Sequence, residues 1–478
     1  MKKSTWRKQH KWLGIIVSII MMMFCVSGIL LNHRTLIKDM NVSRAYLPSR
    51  YEYHDWNGGL LRGTLACGDT VLLYGSGGIW QTTVSATTFS DYNQGLPQGA
   101  DYRQIRNVVR TRQGDLIAVA PFGLYRRDRH GAWRAMDVAP GGDDRWTDVA
   151  VCGDTLVALS RSAAYVSLTP YTSFRRIKLQ APAAHDARPT AFRTVWLLHS
   201  GQLFGTPGRL VADAVAAVLA LLCVSGLVFW LRPKHKALLQ TTLRLHDALG
   251  RRTIVLTLLI ALTGWCLRPP VMIALVNGRL PVLPGTTLDS DNPWNDKLRA
   301  LRHDDTAADW LLSTSDGFFS LDLSRGTTKA IAATPPVSVM GLNVLQKNSE
   351  GQWLCGSFSG LYVWDRQHGT ATDYFTGEPA PAKVGAPFGR KAVSGMSQDF
   401  ATPVVAEYGT GTRFAPQPSF MNRLPMSLWN VALEVHSGRM FIGDAATYVF
   451  VFAAGLLALW CLWSGYIIRL RKRQAKRR

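Results

Sequence analysis

Four apolar runs, at residues 12–31, 211–231, 253–275 and 447–468, do most to limit what this chain can become. Each is about 20 residues long, the length at which an α-helix crosses the hydrocarbon core of a bilayer. The stretches between them are rich in aromatic, β-branched and glycine residues. The predicted fold class is membrane α plus all-β: a four-transmembrane-helix bundle with two inserted β domains. Arg268, Pro269 and Pro270 interrupt the third run, so its end is expected to break, because proline lacks the helix N–H. The predicted boundaries are 1–33 for the N-terminus and first span, 34–198 for the first β domain, and 199–232 for the second span with its leading motif. A basic loop that includes the start of the third helix follows at 233–252, then the third span at 253–275, the second β domain at 276–435, the fourth span with its leading motif at 436–468, and a basic tail at 469–478.

A net charge of +22 invites a nucleic-acid reading, but its placement argues against one. Residues 1–12 carry +5, residues 232–252 carry +5 and residues 469–478 carry +7, which is 17 of the 22 charges. All three flanks fall on one side of four alternating spans. The positive-inside rule then predicts cytoplasmic termini and exported β domains, with the basic flanks touching anionic lipid and no nucleic acid bound. The first run lacks a small-x-small cleavage site after LLNHR and reads as an anchor. Of seven cysteines, Cys25, Cys223, Cys266 and Cys461 fall in apolar runs, and Cys67, Cys152 and Cys355 in strand-like ones. They read as free thiols rather than a disulfide framework.

The chain is also duplicated. Setting residue 10 on residue 246 aligns HKWLG with HDALG, and Ser27-Gly28 with Thr263-Gly264. Setting residue 199 on residue 436 aligns HSGQLF with HSGRMF, and brings Ser225-Gly226 close to Ser464-Gly465. The first histidine pair is 236 residues apart and the second 237, so both keep step with the repeat. Both halves start from the same side, which predicts two parallel repeats about an axis along the membrane normal. Histidine near a bilayer is costly without a partner. Mirrored imidazoles predict two layers of bis-histidine haem ligation, His199 with His436 at the outer surface and His10 with His246 at the inner one. No C-x-x-C-H occurs, so the haem would be b-type, two per chain. The small [Ser/Thr]-Gly pairs share these layers and would leave room for a flat macrocycle, although close helix packing alone uses the same device. The histidines also have a plainer reading as solvated or capping residues, with HSG simply starting a turn.

A weak signature recurs in the β domains: a polar turn, an apolar strand, then a small residue and a hydrophobic pair. It reads CGDTVLLYGSGGIW, QGDLIAVAPFGLY, CGDTLVALSRSAAY, WLLSTSDGFF and EGQWLCGSFSGLY, ending at Trp80, Tyr125, Tyr165, Phe319 and Tyr362. Spacings of 45, 40 and 43 residues within the domains match propeller blades, so the domains are expected to be propeller-like, completing one ring or packing as two partial ones. The glycine-rich stretches at 75–78 and 409–411 match neither a dinucleotide fingerprint nor a P-loop and read as hairpin turns.

The segments RKQHKWLGIIVSIIMMMFCVSGILL, LLHSGQLFG…VSGLVFWLR, LRLHDALG…ALTGW and EVHSGRMFIG…WSGYIIRLR, in that order, resemble the PepSY-associated transmembrane family. The family's small PepSY domain has no recognisable counterpart, and blade-like segments stand in its place. The resemblance implies a multi-pass protein of the bacterial inner membrane, akin to haem-containing reductases of ferric siderophores, with His10, His199, His246 and His436 at the family's histidine positions. The expected activity is electron passage to a periplasmic ferric complex or siderophore, drawn from a quinol or a cytoplasmic flavoprotein. The alternative is a haem-free, membrane-anchored sensor or accessory binding protein. His33, whose counterpart is Pro269, is an alternative outer ligand or an interfacial residue. Arg34 and Arg268 could pair with haem propionates or snorkel to the interface. His235 reads as a solvated loop residue.

Overall fold

The computed structural model describes residues 3–182, 184–231, 236–338, 341–382 and 391–477; His235 lies outside them. The chain divides into a helical unit (Met1–Ile37, Asp186–Ser290, Leu428–Arg478) and a β unit (Lys38–His185, Asp291–Ser427). Both inserted segments thus contribute to a single β unit.

Among the described residues, four helices of the first unit are long and apolar enough to cross a membrane: Ser4–Asn32, Gln202–Leu231, Lys236–Cys266 and Ala446–Ile468. The first packs on the second and fourth, and the third packs on the same two, so the duplicated spans sit diagonally. Small or hydroxylic side chains fill the contacts, among them Ser18, Ser27, Ala212, Ser225, Thr263, Ala454 and Ser464, all buried. Ile16, Val255 and Val449 point outward and are exposed, as expected where the solvent is lipid.

Two short helices, Ala191–His199 and Leu428–His436, precede the second and fourth spans. Thr190 caps the first of them, its side chain accepting from the Arg193 N–H at 3.1 Å. Each helix is separated from its span by a glycine in the left-handed region, Gly201 at φ 76° and Gly438 at φ 79°. His199 and His436 therefore end helices of their own instead of belonging to spans that begin early. The short helix before the second span docks on the third span, and the one before the fourth span docks on the first. Each half lends its short helix to the other half.

The third helix starts inside the basic loop, as expected, but ends before the predicted limit of 275. It starts at Lys236 and runs unbroken to Cys266, with a separate turn of helix at Val271–Asn277. Residues 236–252 are too polar for a hydropathy reading, yet contain no proline, so the helix simply continues through them. The break falls at Pro269 and Pro270, as proline chemistry requires.

Among the described residues, the β unit contains five four-stranded antiparallel meanders and one two-stranded hairpin, with strands in chain order within each, besides a short two-stranded pair at its ends. Their first strands are Gly63–Cys67, Asn107–Arg110, Trp146–Cys152, Leu298–Asp304, Leu342–Lys347 and Val393–Ser397. Each of the five sequence signatures forms the two middle strands of one meander, such as Thr70–Gly75 with Gly78–Thr83. The sixth sheet carries no such signature because SQDFATP replaces the small-residue turn. Apolar clusters fill the space between successive sheets; Val157 and Leu159 of the third meet Leu301, Leu312 and Phe319 of the fourth. Another cluster joins the last sheet to the first, through Val404 and Ala406 against Leu73 and Trp80. Asn41–Val42 pairs with Met426–Ser427, tying together the two ends of the β unit.

Candidate functional site

The four histidines predicted as ligands meet in two pairs within the helical unit. The His199 and His436 ring centroids are 6.0 Å apart, and those of His10 and His246 are 6.3 Å apart. His10 to Ser27 is 17 residues of one helix, which at the α-helical rise separates the two layers by about 25 Å.

Each imidazole is held by the [Ser/Thr]-Gly pair of a neighbouring span. His199 Nδ1 lies 3.0 Å from the Ile260 carbonyl and 3.4 Å from Thr263 Oγ1. His436 Nδ1 lies 2.9 Å from the Phe24 carbonyl and 3.1 Å from Ser27 Oγ. His10 Nδ1 lies 3.0 Å from both the Cys461 carbonyl and Ser464 Oγ. His246 Nδ1 is 2.7 Å from Ser225 Oγ. A carbonyl can only accept, so the ring must donate from Nδ1. The hydroxyls agree, since Ser464, Ser27, Thr263 and Ser225 each donate to a carbonyl of their own helix and offer a lone pair to the ring. With Nδ1 protonated, a neutral imidazole has its lone pair on Nε2, and that is the tautomer a metal ligand needs.

The glycines of the same pairs admit the rings. A Cβ on Gly264 would sit 2.6 Å from His199 Cε1, one on Gly28 3.1 Å from His436 Cε1, and one on Gly465 3.1 Å from His10 Cε1. Gly226 is the exception, with Ser18 Oγ at 4.0 Å as its nearest neighbour. The sequence located these small pairs in the right layers but gave no hint that their hydroxyls and preceding carbonyls grip the rings. The usable signal was the hydroxyl placed immediately before each glycine, in step with a histidine of the other helix.

These donors fit one metal ion between each pair. Two bonds of about 2.0–2.1 Å from imidazole nitrogen, plus two ring radii of roughly 1.1 Å, put in-line centroids about 6.3 Å apart. A site of two neutral imidazoles with no acidic ligand suits haem iron better than an isolated hard cation.

His33 engages a carboxylate. Its Nε2 lies 2.7 Å from Asp213 Oδ2, and Asn32 Nδ2 donates to the other oxygen of that carboxylate at 2.9 Å. Arg268 is close to the 199–436 layer, donating from Nη2 to the His436 carbonyl at 3.2 Å. Arg34 stacks its guanidinium 3.9 Å from the Trp429 ring centre.

Four membrane-crossing helices that pair duplicated histidines, interrupted by a β unit, define a multi-pass membrane protein built from two repeats. The chain matches the PepSY-associated TM region over residues 8–473 and belongs to that family. No curated protein matches it. Among solved structures it is similar to the extracellular domain of a one-component system from B. thetaiotaomicron, at 11% identity and TM-score 0.34, over 75% of this chain and 38% of that one. A second is the extracellular domain of a hybrid two-component system from the same organism, at 9% identity and TM-score 0.34, over 74% of this chain and 33% of that one. The chain thus spans well under half the length of either.

Proposed function

We propose that this protein is a b-type haem protein of the bacterial inner membrane, holding two haems and serving electron transfer to a ferric complex or siderophore on the periplasmic side. The observation that carries the reading is the fourfold Nδ1 anchoring, which leaves the Nε2 lone pairs free in two pairs of rings with centroids 6.0 and 6.3 Å apart. Haem b with two imidazole ligands supplies reversible one-electron chemistry without an open coordination position. The chain's own part is to fix ring orientation through Ser27, Thr263, Ser225 and Ser464, and to keep water away with the apolar spans. Arg268 places a cation beside the 199–436 layer, where it would offset an anionic substituent of the cofactor.

The basic flanks support cytoplasmic termini, which would put the β unit in the periplasm. We read its six sheets as blades of one ring, on the support of the apolar clusters between successive sheets and between the last and the first. The ferric acceptor would be held against that ring, and a quinol or a cytoplasmic flavoprotein would be the donor. Purified in detergent after haem-replete expression, the protein should give sharp Soret and α bands on dithionite reduction. A colourless preparation would overturn the reading and favour a haem-free sensor.

A further inference from the structure

Away from the helical unit, the β unit brings together three side chains of different donor type. Cys152 ends the first strand of the third sheet, His303 lies in the first strand of the fourth, and Asp305 follows one residue after that strand. One ligand atom from each lies within 4.8 Å of the other two. His303 Nδ1 is hydrogen-bonded to Asp305 Oδ1 at 2.8 Å, which brings imidazole and carboxylate together, and the Trp310 ring lies 5.1 Å from the imidazole. Cys152 comes from the first inserted segment and the other two residues from the second, so the cluster straddles the joint between halves of the β unit.

We propose that Cys152, His303 and Asp305 bind a borderline-soft divalent metal ion, with zinc the best match, and so clip the two inserted segments together. A thiolate, an imidazole and a carboxylate are the three protein ligands that zinc accepts, and a water completes the tetrahedron. Ligand atoms around tetrahedral zinc lie about 3.4–3.6 Å apart, so rotations of about 1 Å close the thiol onto the other two and open the His303–Asp305 contact slightly. Calcium and magnesium are disfavoured because they require all-oxygen sites. On binding, the Cys152 thiol gives up its proton to solvent and the Cys152 sulfur–metal bond forms. No electron is transferred. The site is chemically distinct from the paired histidines of the helical unit, which are anchored by hydroxyls and backbone carbonyls, and it does not depend on haem being bound there.

The test uses the full-length protein in detergent under reducing conditions, titrated with cobalt(II) as the spectroscopic stand-in and then with zinc. The expected result is a thiolate-to-cobalt charge-transfer band in the near ultraviolet, at one equivalent per chain, displaced by zinc. Cys152→Ser should abolish the band, and Asp305→Asn should weaken binding at least tenfold. Asp305 has an 89% exposed side chain, so its substitution leaves the fold intact. Zinc should also protect Cys152 from maleimide in the parent protein but not in His303→Ala. Absence of the band, or its persistence in Cys152→Ser, would overturn the proposal.

Discussion

Each histidine layer pairs two residues related by the duplication, yet the two layers are not built alike. In the 199–436 layer both rings come from short helices that end at the histidine, and both are gripped by a backbone carbonyl as well as a hydroxyl. In the 10–246 layer both rings project from within long helices, and His246 lies 2.7 Å from Ser225 Oγ. The interplanar angles differ as well, 48° against 78°. The first layer is clamped by separately docked elements, and the second is set by the packing of continuous spans. A ligand on a short docked helix can be displaced by small changes in the span beneath it. One on a continuous span can move only with the bundle.

The glycine series should break this comparison most sharply. Gly264→Ala is expected to have the largest effect, because its Cβ would fall 2.6 Å from His199 and displace the ring; occupancy of the 199–436 layer should be lost while the other layer keeps its cofactor. Gly28→Ala and Gly465→Ala, each at 3.1 Å, should weaken one layer apiece without emptying it, and Gly226→Ala should be close to neutral. Haem-to-protein ratios by pyridine haemochrome would rank all four. Equal losses across the series would mean that the glycines serve helix packing alone.

Next in size are the hydroxyls. Ser225→Ala removes the shortest contact to any of the rings and should lower affinity in the 10–246 layer by about 10–100-fold, the range for a residue that orients a metal ligand. Ser27→Ala should cost less, on the order of 1 kcal/mol, because His436 keeps the Phe24 carbonyl. Thr263→Ala, whose contact is 3.4 Å, should cost least. Haem retention against an apomyoglobin trap measures each.

The smallest effect separates both layers from the β unit. Burial raises the pKa of Asp304, but hydrogen bonds from Lys347, Arg366 and Trp353 outweigh it and hold the carboxyl at about 2, against an ordinary 3.8. Its folded-state pKa is depressed, so its contribution is fully present above about pH 4 and is lost as pH falls toward 2. Between those values the β unit should soften in thermal scans while the haem bands remain. Asp304→Asn should flatten that dependence.

Much of this was legible in the residues. The four spans, the duplication and the pairing partners of His10 and His199 follow from motifs that repeat in step. The middle strands of five sheets follow from a turn-strand-turn signature. What escaped was set by tertiary context. The third helix starts within 233–252, as expected; how many of those polar residues it takes in, back to Lys236, is not set by hydropathy. The short helices before the second and fourth spans dock across the repeat, and nine residues carry too little periodicity to announce it. His33 resembled a ligand only until Asp213, 180 residues away in sequence, supplied its partner.

The most direct test is haem stoichiometry in single-histidine variants of the full-length protein. The account predicts two haems per chain in the parent, one in His199→Ala and one in His246→Ala, each variant retaining the spectrum of the untouched layer. A parent ratio of zero, or a ratio unchanged by both substitutions, would contradict it.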